Sequence, residues 1–490
     1  MKTKLTKNEL AISIGFFAVG TIVLAAVILL MLWMNLAGDF VDFLERNWRT
    51  ALTVGISYFV LFTITYFYFY FEDKDLLASK LKITEFFVLM LLSFVLCELV
   101  SKLLDPRARP LIFFALMAGK LFNRRGAILT NTVFAFLIIF TRYFAIQDPT
   151  ITSVYAGGMQ TEIIVDLLTV FCGGIISIFL IREVKTRLGC VMVAFVLYIP
   201  IFVMNFLQFP YVDATVMGEW VPKILLYSAL NCLLSILLFE FCLPIFEKVF
   251  NELTTFRLRE LTSDSAKLIK RLKENAYGTY NHSLVVAQIA EVCASAIGED
   301  SELARAVAFY HDIGKLRNPE MFGENQHNYN VHKELTPELS ADIIRSHTRD
   351  GAKLISNYHL PQIFADVAVQ HHGTMPIKYF YAKALKMSDG ALNISNYSYQ
   401  GPTPTTKIAA IIMIADASEA ATRSLAVHSP ENVEAMVRSI VEERINMDQF
   451  VNCNITMREL TIIIQTIVNS LTGVYHSRVS YPKLVLRKQR

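Results

Sequence analysis

Apolar runs fill the first half of the chain and stop near residue 250. About eight of them, at roughly 11 to 37, 52 to 71, 84 to 104, 108 to 122, 127 to 145, 161 to 181, 189 to 208 and 223 to 246, are candidates to cross a membrane. A hydrocarbon core about 30 Å thick takes about 20 residues of helix, and only the fourth run, short and carrying Lys120, is marginal by that measure. The first run is too long for the core of a signal peptide and no small-residue cleavage site follows it before Trp48, so it reads as an uncleaved anchor.

The charges between the runs orient them. Lys2, Lys4 and Lys7 place the N-terminus inside, and alternate loops then carry Lys74, Lys80 and Lys82, Arg124 and Arg125, and Arg182, Lys185 and Arg187. The intervening loops Gln147 to Gln160 and Phe209 to Trp220 hold neither Lys nor Arg, while the turn Asp105 to Pro110 breaks the pattern with Arg107 and Arg109. Eight crossings return both termini to the cytoplasm. Lys120 and Arg142 read as cations snorkelling to an interface rather than as a ligand pathway, and the alternation of Tyr66, Tyr68 and Tyr70 with Phe67, Phe69 and Phe71 reads as an aromatic belt.

Beyond the last run the pattern changes to charged segments with helical spacing of apolar residues, first at Leu253, Phe256, Leu258, Leu261, Leu268 and Leu272. Pro244 should kink or end the last crossing. The expected organisation is all-α: a polytopic transmembrane domain over 1–250, a helical connector over 251–275 and an all-helical cytoplasmic catalytic domain over 276–490. Composition agrees, since 54% hydrophobic residues and a mean hydropathy of +0.42 exclude a wholly soluble protein. The net charge of +3 gives no reason to expect a nucleic-acid polymer as partner. Seven cysteines without a CxxC pair read as buried thiols, not as a disulfide framework or a thiolate zinc site.

All ten histidines lie beyond residue 280. In order they include His282, the pair His311-Asp312, His347 and the pair His371-His372, with Asp416 far downstream in an apolar helix. Burying so many imidazoles and carboxylates unpartnered costs several kcal/mol each, and a shared metal centre removes that cost. Nitrogen and oxygen donors suit Fe, Mn, Zn, Ni or Co. An adjacent His-Asp pair lets one carboxylate bridge two ions, which can share a bridging hydroxide and grip a phosphoryl group, so hydrolysis of a phosphodiester is the expected chemistry. Asp312 and Lys315 are the expected catalytic residues. Lys315, one turn after Asp312, can hold a phosphate oxygen, and Gly314 between them can admit substrate closely; Arg423, two turns after Asp416, is a further substrate-binding candidate. His327, His332, His359, His428 and His476 read as surface or loop residues, with His332 the nearest to an exception.

HDIGK at 311–315, together with His282, His347, His371-His372 and Asp416, resembles the HD-domain phosphohydrolases. More narrowly, GTYNHS (278–283), ELSADIIRSH (338–347), QHHGTMPIKYFY (370–381), GPTPTTKIAAIIMIADASEAATRSL (401–425) and GVYHSRVSYP (473–482) resemble the seven-transmembrane HD proteins of the PgpH type. The resemblance implies a bacterial inner-membrane enzyme that hydrolyses cyclic di-AMP to linear pApA with two divalent ions, Fe or Mn. The implied metal ligands are His282, His311, Asp312, His347, His371, His372 and Asp416, with Lys315 assisting at phosphate. Three departures stand out. Only about 14 residues, Gly38 to Ala51, lie where the family carries a large extracellular domain; Asn281 replaces the first of a paired histidine; and Gly278 stands where related three-metal enzymes have Glu. No GYP motif follows His372, which disfavours cyclic di-GMP. The implied partners are cyclic di-AMP and the lipid bilayer, with a homodimer left open. The competing readings are an HD phosphohydrolase for another cyclic dinucleotide or nucleotide, and a membrane receptor that binds nucleotide without cleaving it.

Overall fold

The computed structural model describes residues 5–35, 40–146, 159–207, 215, 217–326, 329–388, 390 and 392–474. The described residues form helices and short helical turns, with one isolated bridge between Pro376 and Ser398. The chain divides into two compact units between Phe256 and Arg257.

The first unit is a multi-pass membrane region. It contains α1 (Lys7–Asn35), α2 (Phe40–Glu72), α3 (Lys74–Ala78), α4 (Lys80–Leu103), α5 (Phe113–Leu121), α6 (Arg124–Ile146), α7 (Met159–Leu168), α8 (Gly174–Glu183), α9 (Arg187–Phe206) and α10 (Met217–Val249). Seven stretches among the described residues, not eight, are long and apolar enough to span: Lys7–Met34, Ala51–Glu72, Lys80–Leu103, Arg124–Arg142, Glu162–Glu183, Arg187–Phe206 and Met217–Val249. The missing one is the fourth expected crossing. Its helix, α5, has nine residues and a length of about 14 Å, half a bilayer core.

The chain nevertheless returns from one end of the unit to the other there. The side chain of Asn123, just after α5, bonds to Asp73, where α2 ends and α4 is about to start. The 24 residues of α4 carry the chain about 36 Å away from that end. Residues 104–122 therefore make the return leg as a coil, a 3₁₀ turn (Pro106–Ala108) and α5. Backbone that is not helical at this depth must be satisfied by protein. The Asp105 carboxylate accepts from the Arg107 N–H, Arg109 donates to the Pro106 carbonyl, and the Leu111 N–H reaches the Arg109 carbonyl at 2.8 Å.

The same segment explains the two arginines that broke the charge pattern. Arg107 is paired with Asp105 at 2.7 Å, and Arg109 is fully buried against Asp166 of α7 at 2.9 Å. Neither is an open loop charge. Arg142 is largely buried and makes ion pairs with Glu162 at 3.2 Å and Asp166 at 3.6 Å, which replaces the snorkelling expected of it. Lys120 donates to the Val184 carbonyl at 2.7 Å, just beyond the C-terminus of α8. Between α7 and α8 a π-type turn (Thr169–Gly173) leaves the Val170 carbonyl to the side chain of Asn131, at 2.8 Å.

Pro244 does not end the last crossing, which continues to Val249. The expected connector helix is two short ones, α11 (Thr255–Leu261) and α12 (Lys267–Asn275). The second unit continues with α13 (Tyr277–Ile297), α14 (Ser301–Tyr310), α15 (Pro337–Asn357), α16 (Gln362–Gln370), α17 (Lys378–Met387), α18 (Lys407–Thr422), α19 (Pro430–Asn446) and α20 (Met457–Val474). Their starts are written locally. Asp300, Thr336, Thr406 and Ser429 cap α14, α15, α18 and α19 through their side chains, and Pro337 and Pro430 occupy first-turn positions where no N–H is needed. From Ile408 to Asp416 every residue of α18 is buried, as expected of a helix apolar on all sides at the centre of a unit. It carries Asp416 into that core.

Candidate metal centre

Five helix ends and interiors converge on one buried point. His282 stands on the second turn of α13, His311 and Asp312 terminate α14, His347 is in mid-α15, His371 and His372 terminate α16, and Asp416 is on α18. Close approach of α15 to the His-Asp turn requires Gly314. A Cβ there would lie 1.9 Å from the His347 carbonyl oxygen, so Gly314 makes room for α15 rather than for substrate. Gly278 has the same role one layer away, since a Cβ there would meet the Glu324 carbonyl oxygen at 1.9 Å.

The imidazoles are aimed by local hydrogen bonds. Nδ1 of His311, His347 and His371 each donates to the carbonyl three residues upstream, on Ala308 at 2.6 Å, Ile344 at 2.5 Å and Ala368 at 2.9 Å. A carbonyl can only accept, so Nδ1 carries the proton and Nε2 is turned to the centre. For His282 the acceptor is the Glu419 carboxylate, 2.6 Å from Nδ1. Arg423 grips both oxygens of Glu419 at 2.7–2.8 Å.

Two sets of donor atoms result, each drawn together within 4.8 Å: His282, His311, Asp312 and Asp416 in one, and Asp312, His347, His371 and His372 in the other. Asp312 belongs to both. Its Oδ2 lies 3.3 Å from His311 Nε2 and 3.6 Å from His282 Nε2, and its Oδ1 lies 3.3 Å from His347 Nε2 and 3.7 Å from His371 Nε2. Asp416 offers Oδ1 to His282 at 2.9 Å and Oδ2 toward His372 at 3.6 Å. His311 Nε2 and Asp312 Oδ1 are buried without a hydrogen-bond partner among the described residues. Unsatisfied donor atoms facing one point are what a pair of cations would satisfy, so the residues fit divalent metal ions.

Electrostatics support that fit. Burial opposes ionisation of Asp312, yet Lys315 and His311 hold its carboxyl well below the usual range. Burial likewise opposes Asp416, and the bond to His282, with His311 Nε2 3.7 Å away, depresses it strongly. Against burial, Asp312 and Asp416 raise His311 to about 10. His372 is pushed down to about 3 by burial, against the pull of Asp416. Without metal, the first donor set is thus held together by protons, while in the second the three imidazoles are neutral and Asp312 keeps its charge. Metal entering the first set must displace protons.

Lys315 lies in the 3₁₀ turn that follows Asp312 (Ile313–Arg317), where residues three apart stack directly. Its Nζ is 2.7 Å from both Asp312 Oδ2 and Glu324 Oε1. Arg423, expected at substrate, reaches the cavity wall with its guanidinium committed to Glu419. Of the other histidines, His332 is buried, with Nε2 2.7 Å from the Met321 carbonyl, and His428 meets the Thr422 carbonyl; neither belongs to the two donor sets. His359 takes a positive φ at the end of α15, and His327 and His476 lie outside the described residues. Sequence reasoning missed Glu419, Glu324 and Tyr399. The first had a signal, standing one turn after Asp416 and one turn before Arg423. Glu324 arrives from a 3₁₀ turn (Gly323–Asn325) and Tyr399 from a loop, and neither had one.

Residues 279–421 match the family described as "HD domain", and residues 48–254 match "7TM receptor with intracellular HD hydrolase". The chain carries an HD domain behind a 7TM-HD membrane region. It is 46% identical over 241 residues to the cyclic-di-AMP phosphodiesterase PgpH of Listeria monocytogenes, covering 49% of this chain and 33% of that one. With the Bacillus subtilis protein of the same name it shares 40% over 267 residues, 54% of this chain and 37% of that one. The chain thus spans about a third of the length of these relatives. The crystal structure of the L. monocytogenes PgpH HD domain in complex with cyclic-di-AMP is 46% identical, covering 44% of this chain and 99% of that one at a TM-score of 0.42.

Proposed function

We propose that the chain is a membrane-bound phosphodiesterase that hydrolyses cyclic di-AMP to linear pApA and so lowers the level of a second messenger. The observation that carries this reading is the pair of donor sets sharing Asp312. The identity to two cyclic-di-AMP phosphodiesterases over about half of the chain supplies the substrate. On this reading 1–250 is the membrane part, 251–275 the connector and 276–490 the catalytic domain, which lies in the cytoplasm of a bacterium, where cyclic di-AMP is met.

His282, His311, Asp312 and Asp416 would hold one ion and Asp312, His347, His371 and His372 the other, with iron or manganese matching imidazole and carboxylate donors. When bound, two such ions polarise the phosphoryl oxygens and activate water. The chain supplies the rest. Asp312 fixes the spacing of the two sets by belonging to both. The Nδ1–carbonyl bonds keep three imidazoles from rotating, and Glu419 does so for His282. Burial works against the Lys315 ammonium, but Asp312 and Glu324 raise its pKa far enough to keep it charged at every physiological pH. Lys315 therefore acts as a fixed cation beside the reacting phosphate, not as a proton donor. Water adds to phosphorus, the bond to the 3′ oxygen breaks, and that oxygen leaves as a hydroxyl to give pApA.

The test is turnover by the purified full chain with Mn²⁺, offered cyclic di-AMP, cyclic di-GMP and a nucleoside triphosphate in parallel, with products identified. Conversion of cyclic di-AMP to pApA is expected. An untouched cyclic di-AMP beside turnover of another nucleotide would overturn the substrate assignment.

A further inference from the structure

Of the seven apolar stretches, the one in α1 is the least covered by protein, with 17% of it buried. The helix meets α4 closely at Gly20, where a Cβ would run into the Phe87 ring. Beside that contact the two helices leave a groove of about 250 Å³, walled by Phe16, Val19 and Val23 of α1 and by Ile83, Val88 and Leu91 of α4. From Phe16 to Val23 it follows about 10 Å of helix. The hydroxyl on its wall, that of Thr84, donates to the Lys80 carbonyl at 2.9 Å, so the groove itself asks for hydrocarbon and not for a polar group.

Lys80 is the first residue of α4 and stands at one end of this groove, its Nζ 5.8 Å from the centre of the Phe16 ring. The side chain is exposed and makes no ion pair among the described residues. Lys82, by contrast, is paired with Glu252 at 3.7 Å. An ammonium resting on an aromatic face keeps its N–H donors for an anion. A lone cation at the head of a hydrocarbon groove complements an amphiphile with a negative headgroup, and a bilayer supplies one in its acidic phospholipids.

The opposite face of α1 provides a contrast. There a groove of about 360 Å³ runs between Ile14, Ala18 and Ile22 of α1 and Phe59, Thr63 and Phe67 of α2. Its hydroxyls are also taken up by their own helices, Thr21 by the Phe17 carbonyl at 2.8 Å and Thr63 by the Phe59 carbonyl at 2.6 Å. Lys80 faces Phe16 on the α4 side and is not part of this wall. Shape invites an acyl chain on both faces of α1, and charge separates the two.

We propose that the groove between α1 and α4 is a binding site for an anionic phospholipid, with an acyl chain along the groove and the headgroup phosphate on Lys80. With the N-terminus inside, that lipid belongs to the cytoplasmic leaflet. The groove between α1 and α2 takes neutral and acidic lipids alike. The site concerns the membrane unit alone and stands whether or not the phosphodiesterase reading holds.

Native mass spectrometry of the full chain, released from nanodiscs holding equal amounts of phosphatidylglycerol and phosphatidylcholine, provides the test. The wild type should retain phosphatidylglycerol about fivefold over phosphatidylcholine. Lys80→Ala should remove most of that preference and Lys80→Arg should keep it, while Lys102→Ala, at the other end of α4, leaves it intact. Lys80→Gln, with the same expectation, replaces the alanine variant if that one does not fold. Val19→Trp fills the groove from an exposed position and should also remove the preference, whereas Ala18→Trp, in the groove on the other face of α1, should not. Equal retention of the two lipids by the wild type, or an unchanged preference in Lys80→Ala or Val19→Trp, would overturn the site. A wild-type dimer that Val19→Trp converts to a monomer would assign the groove to a second copy of the chain and overturn it as well.

Discussion

In the membrane unit Arg109 and Arg142 face Asp166 and Glu162, two cations against two carboxylates, at 2.9 to 3.6 Å. In the HD unit Asp312, Asp416, Glu324 and Glu419 face two fixed cations, Lys315 and Arg423, among the imidazoles of the two donor sets. Each cluster has a buried centre, Arg109 with Asp166 in the first and Asp312 with Asp416 in the second. The first is close to neutral as it stands, so its charges serve to hold a broken crossing in place. The second keeps two uncompensated carboxylates, and its balance closes only when protons or metal ions enter. A buried ionic cluster therefore signals structure or chemistry according to whether its own residues neutralise it.

The largest effect expected from this contrast is at Asp312, the residue shared by both donor sets. Asp312→Ala should remove bound metal, read by elemental analysis, and lower turnover by about a thousandfold or more; a variant that keeps both metal and hydrolysis would break the two-set arrangement.

The membrane cluster should answer differently. Arg109→Ala leaves Asp166 buried with only Arg142 near it, and should destabilise the membrane unit by about 3–5 kcal/mol in thermal unfolding of the detergent-solubilised chain. Replacing the pair together, as Arg109→Met with Asp166→Leu, should recover most of that stability. If the pair replacement is no better than the single one, the cluster is not a self-contained neutral network.

Glu419 sharpens the HD side. Glu419→Gln keeps the size of the side chain but weakens the acceptor for His282 Nδ1, and metal affinity measured by titration should fall about 10- to 100-fold. An unchanged affinity would mean that His282 is oriented by packing alone.

The smallest effect is the pH dependence. In the metal-free protein His311 is raised to about 10, so its contribution to stability is complete below its ordinary value of 6.5 and is lost as pH climbs toward 10. His372, lowered to about 3, acts in the opposite sense, and its contribution is lost as pH falls from 6.5 toward 3. Hydrogen exchange protection of residues 277–310 in the metal-depleted chain should peak near pH 6.5 and decline on both sides. Metal should flatten the alkaline side and release protons on binding at pH 7. A profile that is the same with and without metal would contradict the assignment.

Much of this could be read before folding was considered. The HD donors are legible because each sits in a local device: Asp312 and His311 at the end of α14, His371 and His372 at the end of α16, and Asp416 in a helix apolar on all sides. The i−3 carbonyls that aim three of the imidazoles belong to the same helices as the imidazoles themselves. The fourth crossing was misread for the converse reason. Hydropathy registers that residues 108–122 are apolar, but a buried coil and a short helix are as apolar as a spanning helix, and the partners that satisfy Arg109 lie on α7.

Sequence alone therefore determined the all-helical class, the polytopic first half and the identity of the seven metal-site candidates, because periodicity, run length and motif spacing are properties of neighbouring residues. Tertiary structure decided which charges neutralise one another. Arg423 is drawn to Glu419 and Lys315 is shared with Glu324. Coulomb and hydrogen-bond energies depend on separations of a few ångströms between residues tens of positions apart, and those separations exist only once the helices have packed.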